Sequence, residues 1–521
     1  MSANSKKYFY LVNQIILCIV FIISYIYIFD VKFDLNGDNF EYLNLAKSII
    51  EGKGYSFPYT PNSIPTNWFP PGYPCILALE MIVGGNNIVL FKVINGLFFL
   101  GSILLLYNIA SKVITNIQLS FSICVLLFLN SGLLRFSTII MSEMPYLFFS
   151  LLTFYCVLKL NDRIDFIKSK YFYGVILFSV ISFYVRSIGI VLLVAIAIHW
   201  LIERKWKQVL SLVTGFFVLY LPWFIRNWLL DIKSRYLGTM LAVNAWRPEQ
   251  GQINSAGDFI GKIKVNLYDT VIKGFTEVLF PFIRMNEIPI SIVIILGLLM
   301  LALTFLGAWK IRKYNYLFVF YFIGNIFVFL AWHGGNFYRY VLPLAPFIAF
   351  CFFYGVYYLI TLIFERNKTK LPALLPYGFL LLSFFFIFGM EDIHLMAAEK
   401  EYAPAYKNYF AMAEQIKNMN NNKLMVACRK PGIFYYYANC YVTNYKDSES
   451  DKEIFIDFID KKVDYLVLDK LGYSSVYRYL RPAVAKNQDL FQVVYSLENP
   501  NTFLLKFDTE RAKIKFKYFG N

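Results

Sequence analysis

Long apolar segments separated by short charged loops make up the first three quarters of this chain. Eleven such segments recur, each of about 16–25 residues, which is the length that an α-helix needs to cross a bilayer. They cover 8–29, 88–107, 117–134, 142–159, 171–185, 187–203, 208–225, 288–309, 314–331, 340–364 and 371–390. The pattern predicts an α-helical polytopic membrane protein with about 11 transmembrane helices. The stretch 171–203 also fits one broken helix in place of two spans.

The charges in the short loops predict how these helices are oriented. With the N-terminus in the cytoplasm, sixteen Lys and Arg residues fall into the inner loops. The outer turns at 135–141, 186 and 332–339 hold one Arg each. This asymmetry is the positive-inside pattern of membrane proteins. Three longer segments then lie on the outer side of the membrane: 30–87, 226–287 and 391–521.

The last of these segments is polar enough to fold in water. Predicted helices and strands alternate along residues 391–521, which is typical of a small α/β domain. The helices are predicted at 404–419, 451–461 and 474–486, the strands at 424–428, 441–444, 463–468, 491–496 and 502–507, and a turn at 430–432. We therefore expect two domains, a transmembrane domain of residues 1–390 and a soluble extracytoplasmic domain of residues 391–521. Cys428 and Cys440 fall in the second, where an oxidising compartment would allow a disulfide.

Composition agrees with the membrane assignment and excludes several functions. The chain is 58% hydrophobic and only 16% charged, with a net charge of +16. This positive charge sits in loops between apolar segments, as membrane topology requires, so it does not indicate nucleic-acid binding. The sequence has no phosphate-binding Walker loop, no GxGxxG and no cluster of Cys and His. These absences argue against ATP-driven transport and against a structural zinc site.

An acidic segment, DLNGDNFEYLNLAKSIIEGKGYSFPYT, follows the first apolar segment. Leu43, Ala46 and Ile50 recur at helical spacing with polar residues on the other face, which predicts an amphipathic helix lying on the bilayer surface. Asp38, with Glu41 three residues later, fits a capping box at the start of this helix. Asp38 also fits a catalytic carboxylate, and the two roles are compatible.

Other polar residues are predicted at the outer ends of the apolar segments. Glu143 begins a span, where it acts either as a buried functional acid or as a first-turn acid favoured by the helix dipole. Arg186 and Arg339 either bind a phosphate or anchor to lipid headgroups, because a guanidinium holds phosphate through two parallel hydrogen bonds. The remaining candidates on this side are Lys92 for phosphate, and Glu41, His333 and Tyr73 as further site residues.

Together these residues place carboxylates and cations at one membrane surface. A carboxylate can deprotonate an acceptor hydroxyl as that hydroxyl attacks an anomeric carbon. Cations can stabilise the negative charge that develops on a departing phosphate. The set therefore suits the transfer of a sugar from a lipid phosphate.

Six segments follow one another across residues 37–350. They read GDNFEYLNLAKSIIEGKGYSF, FPPGYP, MSEMPY, FYVRSIG, LPWFIRN and NFYRYVLPLAPF. In this order they resemble the bacterial membrane glycosyltransferases of the GT-C class, the broad group with protein O-mannosyltransferases and the aminoarabinose transferases that modify lipid A. The resemblance implies a polyprenyl-phosphate sugar donor, a lipid, glycan or protein acceptor, and inverting transfer on the outer face of the bacterial plasma membrane.

The resemblance also assigns roles to two acids. The family's catalytic Asp matches Asp38, and its second acidic position matches Glu143. This sequence departs from the commoner Asp-Glu pair, because Asn39 follows Asp38. Some relatives use a divalent metal and others do not, so the requirement for a metal cofactor stays open.

Two other functions fit the same sequence. A transporter or flippase for lipid-linked glycans is one, although transporters place polar residues at mid-membrane on broken helices and here they gather at outer helix ends. A non-enzymatic assembly protein is the other, and it predicts that residues 391–521 are essential while Asp38 and Glu143 are dispensable.

Overall fold

The fold is largely helical, as the apolar pattern predicts. The computed structural model describes residues 3–114, 116–160, 165–234, 236–244, 247–332, 337–364 and 371–518. Helices of the N-terminal part are α1 (Ala3–Ile28), α2 (Asn39–Ile50), α3 (Gly72–Gly84), α4 (Ile88–Val113), α5 (Ile117–Phe128), α6 (Ser131–Ser137), α7 (Glu143–Lys159), α8 (Lys170–Val185), α9 (Ile190–Ile202) and α10 (Trp206–Leu229). Then come α11 (Tyr236–Leu241), α12 (Ala256–Asn266), α13 (Gly274–Leu279), α14 (Ile290–Lys310), α15 (Asn315–Ala331), α16 (Phe337–Val341), α17 (Ala345–Phe364), α18 (Leu371–Leu381) and α19 (Ser383–Ala398).

Each predicted span coincides with apolar helix, but not every one is long enough to cross a membrane alone. Within the described residues, seven helical segments have the necessary length and composition, and the pair α5 and α6, bent by 62°, makes an eighth if it is one span. The spans predicted at 142–159, 171–185 and 187–203 correspond to helices of 17, 16 and 13 residues. The polytopic fold is confirmed, and the count of eleven stays a prediction.

The stretch 171–203 forms two helices and not one. α8 ends at Val185, Arg186 is extended, and a short 3-10 turn at Ser187–Gly189 leads into α9. A Cβ atom on Gly189 would lie 2.5 Å from the backbone nitrogen of Phe183. Only glycine permits this contact, because any side chain would collide with the end of α8. The tight corner fixes the position of Arg186.

Two short helices precede α4 and position the acidic segment. α2 packs along α3, and both have partly buried faces. A Cβ atom on Gly72, at the start of α3, would lie 2.7 Å from the carbonyl oxygen of Tyr184. The glycine of the FPPGYP segment therefore allows the start of α3 to touch the end of α8. This contact connects the acidic segment to the corner that carries Arg186.

The C-terminal part folds around one mixed sheet, as predicted. Its helices are α20 (Pro404–Asn418), α21 (Pro431–Ala438), α22 (Asp451–Asp460), α23 (Arg481–Lys486) and α24 (Thr509–Phe516). Its strands are β1 (Met425–Ala427), β2 (Tyr441–Thr443), β3 (Tyr465–Leu468), β4 (Phe491–Leu497) and β5 (Thr502–Phe507). The strand order is β2-β1-β3-β5-β4, with β2, β1 and β3 parallel and with β5 antiparallel to both of its neighbours. We call residues 404–518 the C-terminal domain. The predicted boundary at residue 391 is not marked by a helix end, since α19 continues to Ala398.

Two details of the C-terminal domain differ from the sequence prediction. The segment from Lys430 to Gly432, predicted as a turn, is the start of helix α21, because Pro431 stands at the first helical position, where proline is favoured. The predicted helix 474–486 is a π-helical turn followed by α23. Cys428 and Cys440 are both buried free thiols in this structure.

The C-terminal domain packs directly against the acidic segment. Leu35, Phe40 and Tyr59 belong to the same apolar cluster as the helices and central strands of that domain. The backbone N–H of Val442, in β2, donates to the carbonyl of Tyr59 at 2.9 Å. The domain is therefore part of the structure that surrounds Asp38.

Candidate active site

Four charged side chains from distant parts of the sequence meet at one point. Arg339, in α16, donates from Nη2 to Asp38 Oδ2 at 2.8 Å and from Nε to Glu143 Oε1 at 2.6 Å. Arg186 lies on the other side of Glu143, with its Nη1 2.8 Å from the same Oε1. We call Asp38, Glu143, Arg186 and Arg339 the charged cluster. Two carboxylates and two guanidiniums balance its formal charge.

Asp38 occupies the position immediately before α2. The prediction that its carboxylate caps the helix is wrong, because the side chain makes no capping hydrogen bond. Gly37 adopts a φ of +75°, which glycine tolerates far better than other residues. The Asn39 amide nitrogen donates to the carbonyls of Asp34 and Asn36 at 3.0 and 2.6 Å, and so fixes the loop. The loop turns the Asp38 carboxylate towards Arg339.

Glu143 is the buried centre of the charged cluster. It is the first residue of α7, and its side chain is 0% exposed, whereas that of Asp38 is 32% exposed. One oxygen binds both guanidiniums, and the other has no hydrogen-bond partner within the described residues. A buried carboxylate shared by two cations fixes their separation. Asp38 is thus the carboxylate that a substrate can reach.

The two arginines keep unused hydrogen-bonding capacity. Arg339 Nη1 has no acceptor among the residues that the structure describes, and it lies 3.8 Å from the place where a Cβ atom of Gly37 would be. Arg186 Nη1 also donates to the hydroxyl of Ser142 at 3.0 Å. The side chains of Arg186 and Arg339 are 14% and 18% exposed. The cluster can therefore present N–H donors to an anion at its open side.

Tyr42 and Ser142, neither of which stood out in the sequence, complete this network. The Tyr42 and Ser142 hydroxyl oxygens are 3.3 Å apart, and the Ser142 hydroxyl accepts from Arg186. Tyr42 lies four residues after Asp38, and this spacing places two residues on one face of a helix. The spacing could have indicated that Tyr42 lies beside Asp38. Ser142 directly precedes the predicted acid Glu143.

Glu41 lies apart from the charged cluster. Tyr59 donates to its Oε2 at 2.6 Å, and the carboxylate contacts the start of α21, where a Cβ atom on Gly432 would lie 2.6 Å from Oε1. Burial raises the pKa of the Glu41 carboxyl to about 7, and the negative charge of Asp38 adds to this, against the hydrogen bond from Tyr59. Glu41 connects α2 to the C-terminal domain.

The other predicted site residues take three different positions. The Lys92 ammonium is buried and donates to the backbone carbonyls of Asp30 and Lys32, so it supports the loop that follows α1. Phosphate binding by Lys92 stays a prediction. Tyr73 is buried behind Tyr42, with ring centroids 5.0 Å apart. His333 lies outside the described residues.

The fold matches that of solved membrane glycosyltransferases. Two crystal structures of ArnT from Cupriavidus metallidurans are similar. The structure bound to undecaprenyl phosphate has a TM-score of 0.57 and 13% identity, and the match covers 97% of this chain and 98% of ArnT. The structure in the apo state has a TM-score of 0.56 and 12% identity, and the match covers 96% of this chain and 98% of ArnT. This chain has the GT-C fold. The mycobacterial arabinofuranosyltransferase AftD has a TM-score of 0.48 at 10% identity, over 94% of this chain and 40% of that one. Neither a protein-family model nor a curated protein matches the sequence.

The charged cluster of this GT-C chain does not provide a ready metal site. Within the described ranges, no group of three or more His, Cys, Asp or Glu side chains is placed to hold a metal ion. Divalent cations such as Mg²⁺ prefer carboxylate and water oxygens. Here one oxygen of each of Asp38 and Glu143 already faces a guanidinium, and the two positive charges of Arg186 and Arg339 repel a divalent ion, so the cluster is a poor fit for one.

Proposed function

We propose that this chain is an inverting glycosyltransferase that moves a sugar from a polyprenyl-phosphate donor to a cell-envelope acceptor on the outer face of a bacterial plasma membrane. The observation that carries the proposal is the charged cluster, which joins an accessible carboxylate to two arginines on a GT-C fold. Support for the donor class comes from ArnT of the same fold, which was crystallised with undecaprenyl phosphate. The positive-inside charge pattern supports the outer face.

Asp38 is the general base in this proposal. Its Oδ2 accepts from Arg339, while its Oδ1 has no hydrogen-bond partner within the described residues and can receive a hydroxyl proton. An acceptor hydroxyl loses its proton to this oxygen as it attacks the anomeric carbon. Attack from the face opposite the departing phosphate inverts the configuration at that carbon. The ion pair with Arg339 holds the carboxylate in a fixed position, with Oδ1 left to face the acceptor.

Arg339 and Arg186 stabilise the leaving group. When the bond from the anomeric carbon to the phosphate oxygen breaks, that oxygen takes the electron pair and the phosphate gains negative charge. The free N–H groups of the two guanidiniums are preorganised donors for this charge, and such donors act most strongly where water is scarce. Glu143 is the positioning residue that keeps both guanidiniums at the cluster.

The place of the cluster in the fold suits a lipid-linked donor. Glu143 begins the apolar helix α7, and Arg339 lies in a short helix that continues into α17, within a segment long and apolar enough to span a membrane. The charged cluster therefore lies at the ends of apolar helices. In this position a polyprenyl tail can stay in the lipid while its phosphate reaches the arginines.

A reconstituted assay tests this function. The purified chain in lipid nanodiscs is given polyprenyl-phosphate sugars and an envelope extract as the acceptor, and mass spectrometry follows the free polyprenyl phosphate and the glycosylated acceptor. We expect both products to appear together. In proteoliposomes, movement of the lipid-linked sugar across the bilayer without either product would instead establish a flippase and overturn the proposal.

A further inference from the structure

The C-terminal domain has a second group of charged side chains, at the carboxyl edge of its sheet. β1 lies between β2 and β3, and all three strands are parallel. From β1 the chain passes through α21 to β2 on one side, whereas from β3 it leads to β4 and β5 on the other side. The connections therefore diverge between β1 and β3. In open parallel sheets, ligands bind in the crevice outside the strand ends at such a point.

Charged and aromatic residues occupy this position. Arg429 and Lys430 follow β1, and Asp469 follows β3 directly. The Arg429 guanidinium and the Lys430 ammonium lie 4.9 and 5.1 Å from the ring centroid of Tyr473. Arg481 donates to the backbone carbonyl of Asp469 at 2.9 Å. We call these five residues the edge cluster.

The edge cluster contains buried polar atoms that no protein group satisfies. Asp469 is fully buried, and its Oδ1 accepts from the backbone N–H of Leu471 at 3.0 Å. Its Oδ2 and the Nε atoms of Arg429 and Arg481 are buried without a hydrogen-bond partner among the described residues. Burial raises the pKa of the Asp469 carboxyl to about 6, against the Leu471 amide and the two arginines. Buried polar groups without a hydrogen-bond partner lower the stability of the folded chain, and a ligand that pairs with them removes this cost.

The edge cluster lies close to α2, the helix that directly follows Asp38. Lys430 immediately precedes α21, whose Gly432 contacts Glu41 on α2. The Asn44 amide nitrogen, also on α2, donates to the Gly432 carbonyl at 3.1 Å. A molecule bound at the edge cluster therefore lies beside the acidic segment, on the side of α2 that the C-terminal domain covers.

We infer that the edge cluster binds the acceptor, through a saccharide unit that carries a negative charge. The cations of Arg429 and Lys430 pair with its phosphate or carboxylate, and the free Oδ2 of Asp469 accepts a hydrogen bond from a sugar hydroxyl. A charged saccharide offers both an anion for the cations and hydroxyl donors for the Asp469 oxygen, whereas a neutral sugar offers no anion. This inference rests on the proposed function, since it names the substrate class for the same reaction.

Saturation-transfer NMR on the full chain in zwitterionic nanodiscs tests the inference. The probes are glucose 6-phosphate and glucuronic acid, with glucose as the neutral probe and inorganic phosphate as a competitor. We expect transfer to the two charged sugars and none to glucose. Arg429→Gln and Lys430→Gln should each weaken binding about tenfold or more, the value of one hydrogen bond to a charged group. Lys486→Gln is the matched control, because that lysine is 67% exposed on the same domain.

Each result supports or overturns a stated part. No transfer to either charged sugar, or equal binding by the edge variants and the control, overturns the site. Displacement by inorganic phosphate at the concentration at which the sugar phosphate itself binds shows an anion site only and overturns the saccharide part. If Arg429→Gln unfolds, Lys430→Gln decides. The probes bind without a donor, so failed binding refutes this inference and leaves the proposed function standing. Intact binding by a chain that transfers no sugar refutes the proposed function, and with it the acceptor role, and leaves only a binding site for charged saccharides.

Discussion

Replacing Glu143 by Gln tests the physical basis of the charged cluster. The substitution keeps the side-chain shape but removes the negative charge that faces Arg186 at 2.8 Å and Arg339 at 2.6 Å. Arg339 keeps Asp38 as an ion-pair partner, whereas Arg186 keeps none within the described residues. Removing one partner of a buried ion pair costs about 3–5 kcal/mol, because the other charge stays buried and uncompensated.

This energy predicts a measurable loss of assembled protein. At about 1.4 kcal/mol per factor of ten, it corresponds to roughly a 10²- to 10⁴-fold loss of the correctly assembled site. Thermal unfolding in nanodiscs and the rate of sugar transfer are measured together. Glu51→Gln is the matched control, since Glu51 is exposed at the end of α2 and pairs with the surface residue Lys53.

A double variant separates lost charge from lost shape. In Glu143→Gln with Arg186→Gln, the uncompensated guanidinium is gone, so we expect the double variant to be more stable than the sum of the two single changes predicts. Its transfer rate should stay low, because one phosphate-binding cation is missing. If Glu143→Gln is as stable and as active as Glu51→Gln, the reasoning about a shared buried carboxylate is refuted.

Three further predictions concern the elements that hold the cluster. Gly72→Ala should disturb the packing of α3 against α8, because the new Cβ would lie 2.7 Å from the carbonyl oxygen of Tyr184. We expect a lower yield of folded protein in detergent. Gly261→Ala is the control and should leave the yield unchanged, because nothing lies within 4 Å of its Cβ position. Gly432→Ala should lower the free energy of unfolding by about 1–3 kcal/mol through overpacking against Glu41, and a normal denaturation curve would contradict that contact. Since the Glu41 pKa rises from 4.5 to about 7 on folding, the folded state binds the proton more tightly. Stability should therefore fall as pH rises through this window, and Glu41→Gln should flatten the dependence; an unchanged slope would contradict it.

Much of the fold could be predicted because membrane helices and loop charges leave strong patterns. The polytopic fold, the presence of helix α2 and the C-terminal sheet all follow from apolar periodicity, whereas the position of α2 on the bilayer surface stays a prediction. Helix α21 was missed because Pro431 and Gly432 resemble a turn when read locally. Helix lengths were less predictable, since short apolar helices such as α9 and long spans share one composition.

The candidate site was predictable residue by residue but not as a network. Asp38, Glu143, Arg186 and Arg339 all stood out as charges at helix ends that the loop charges predict to be on the outer side. Their pairing depends on contacts across as many as 301 positions, between Asp38 and Arg339, and no local pattern encodes such contacts. For the same reason, the contact of Glu41 with the C-terminal domain could not be inferred.

Single-turnover transfer by Asp38→Asn tests the central claim most directly. Asn keeps the size of the side chain and an oxygen facing Arg339, but it cannot take a proton from the acceptor hydroxyl. With the donor pre-bound in nanodiscs, we predict donor binding and a thermal unfolding transition like those of the wild-type chain, and no detectable glycosylated acceptor. Transfer by Asp38→Asn at the rate of Glu51→Gln would contradict the assignment of Asp38 as the base.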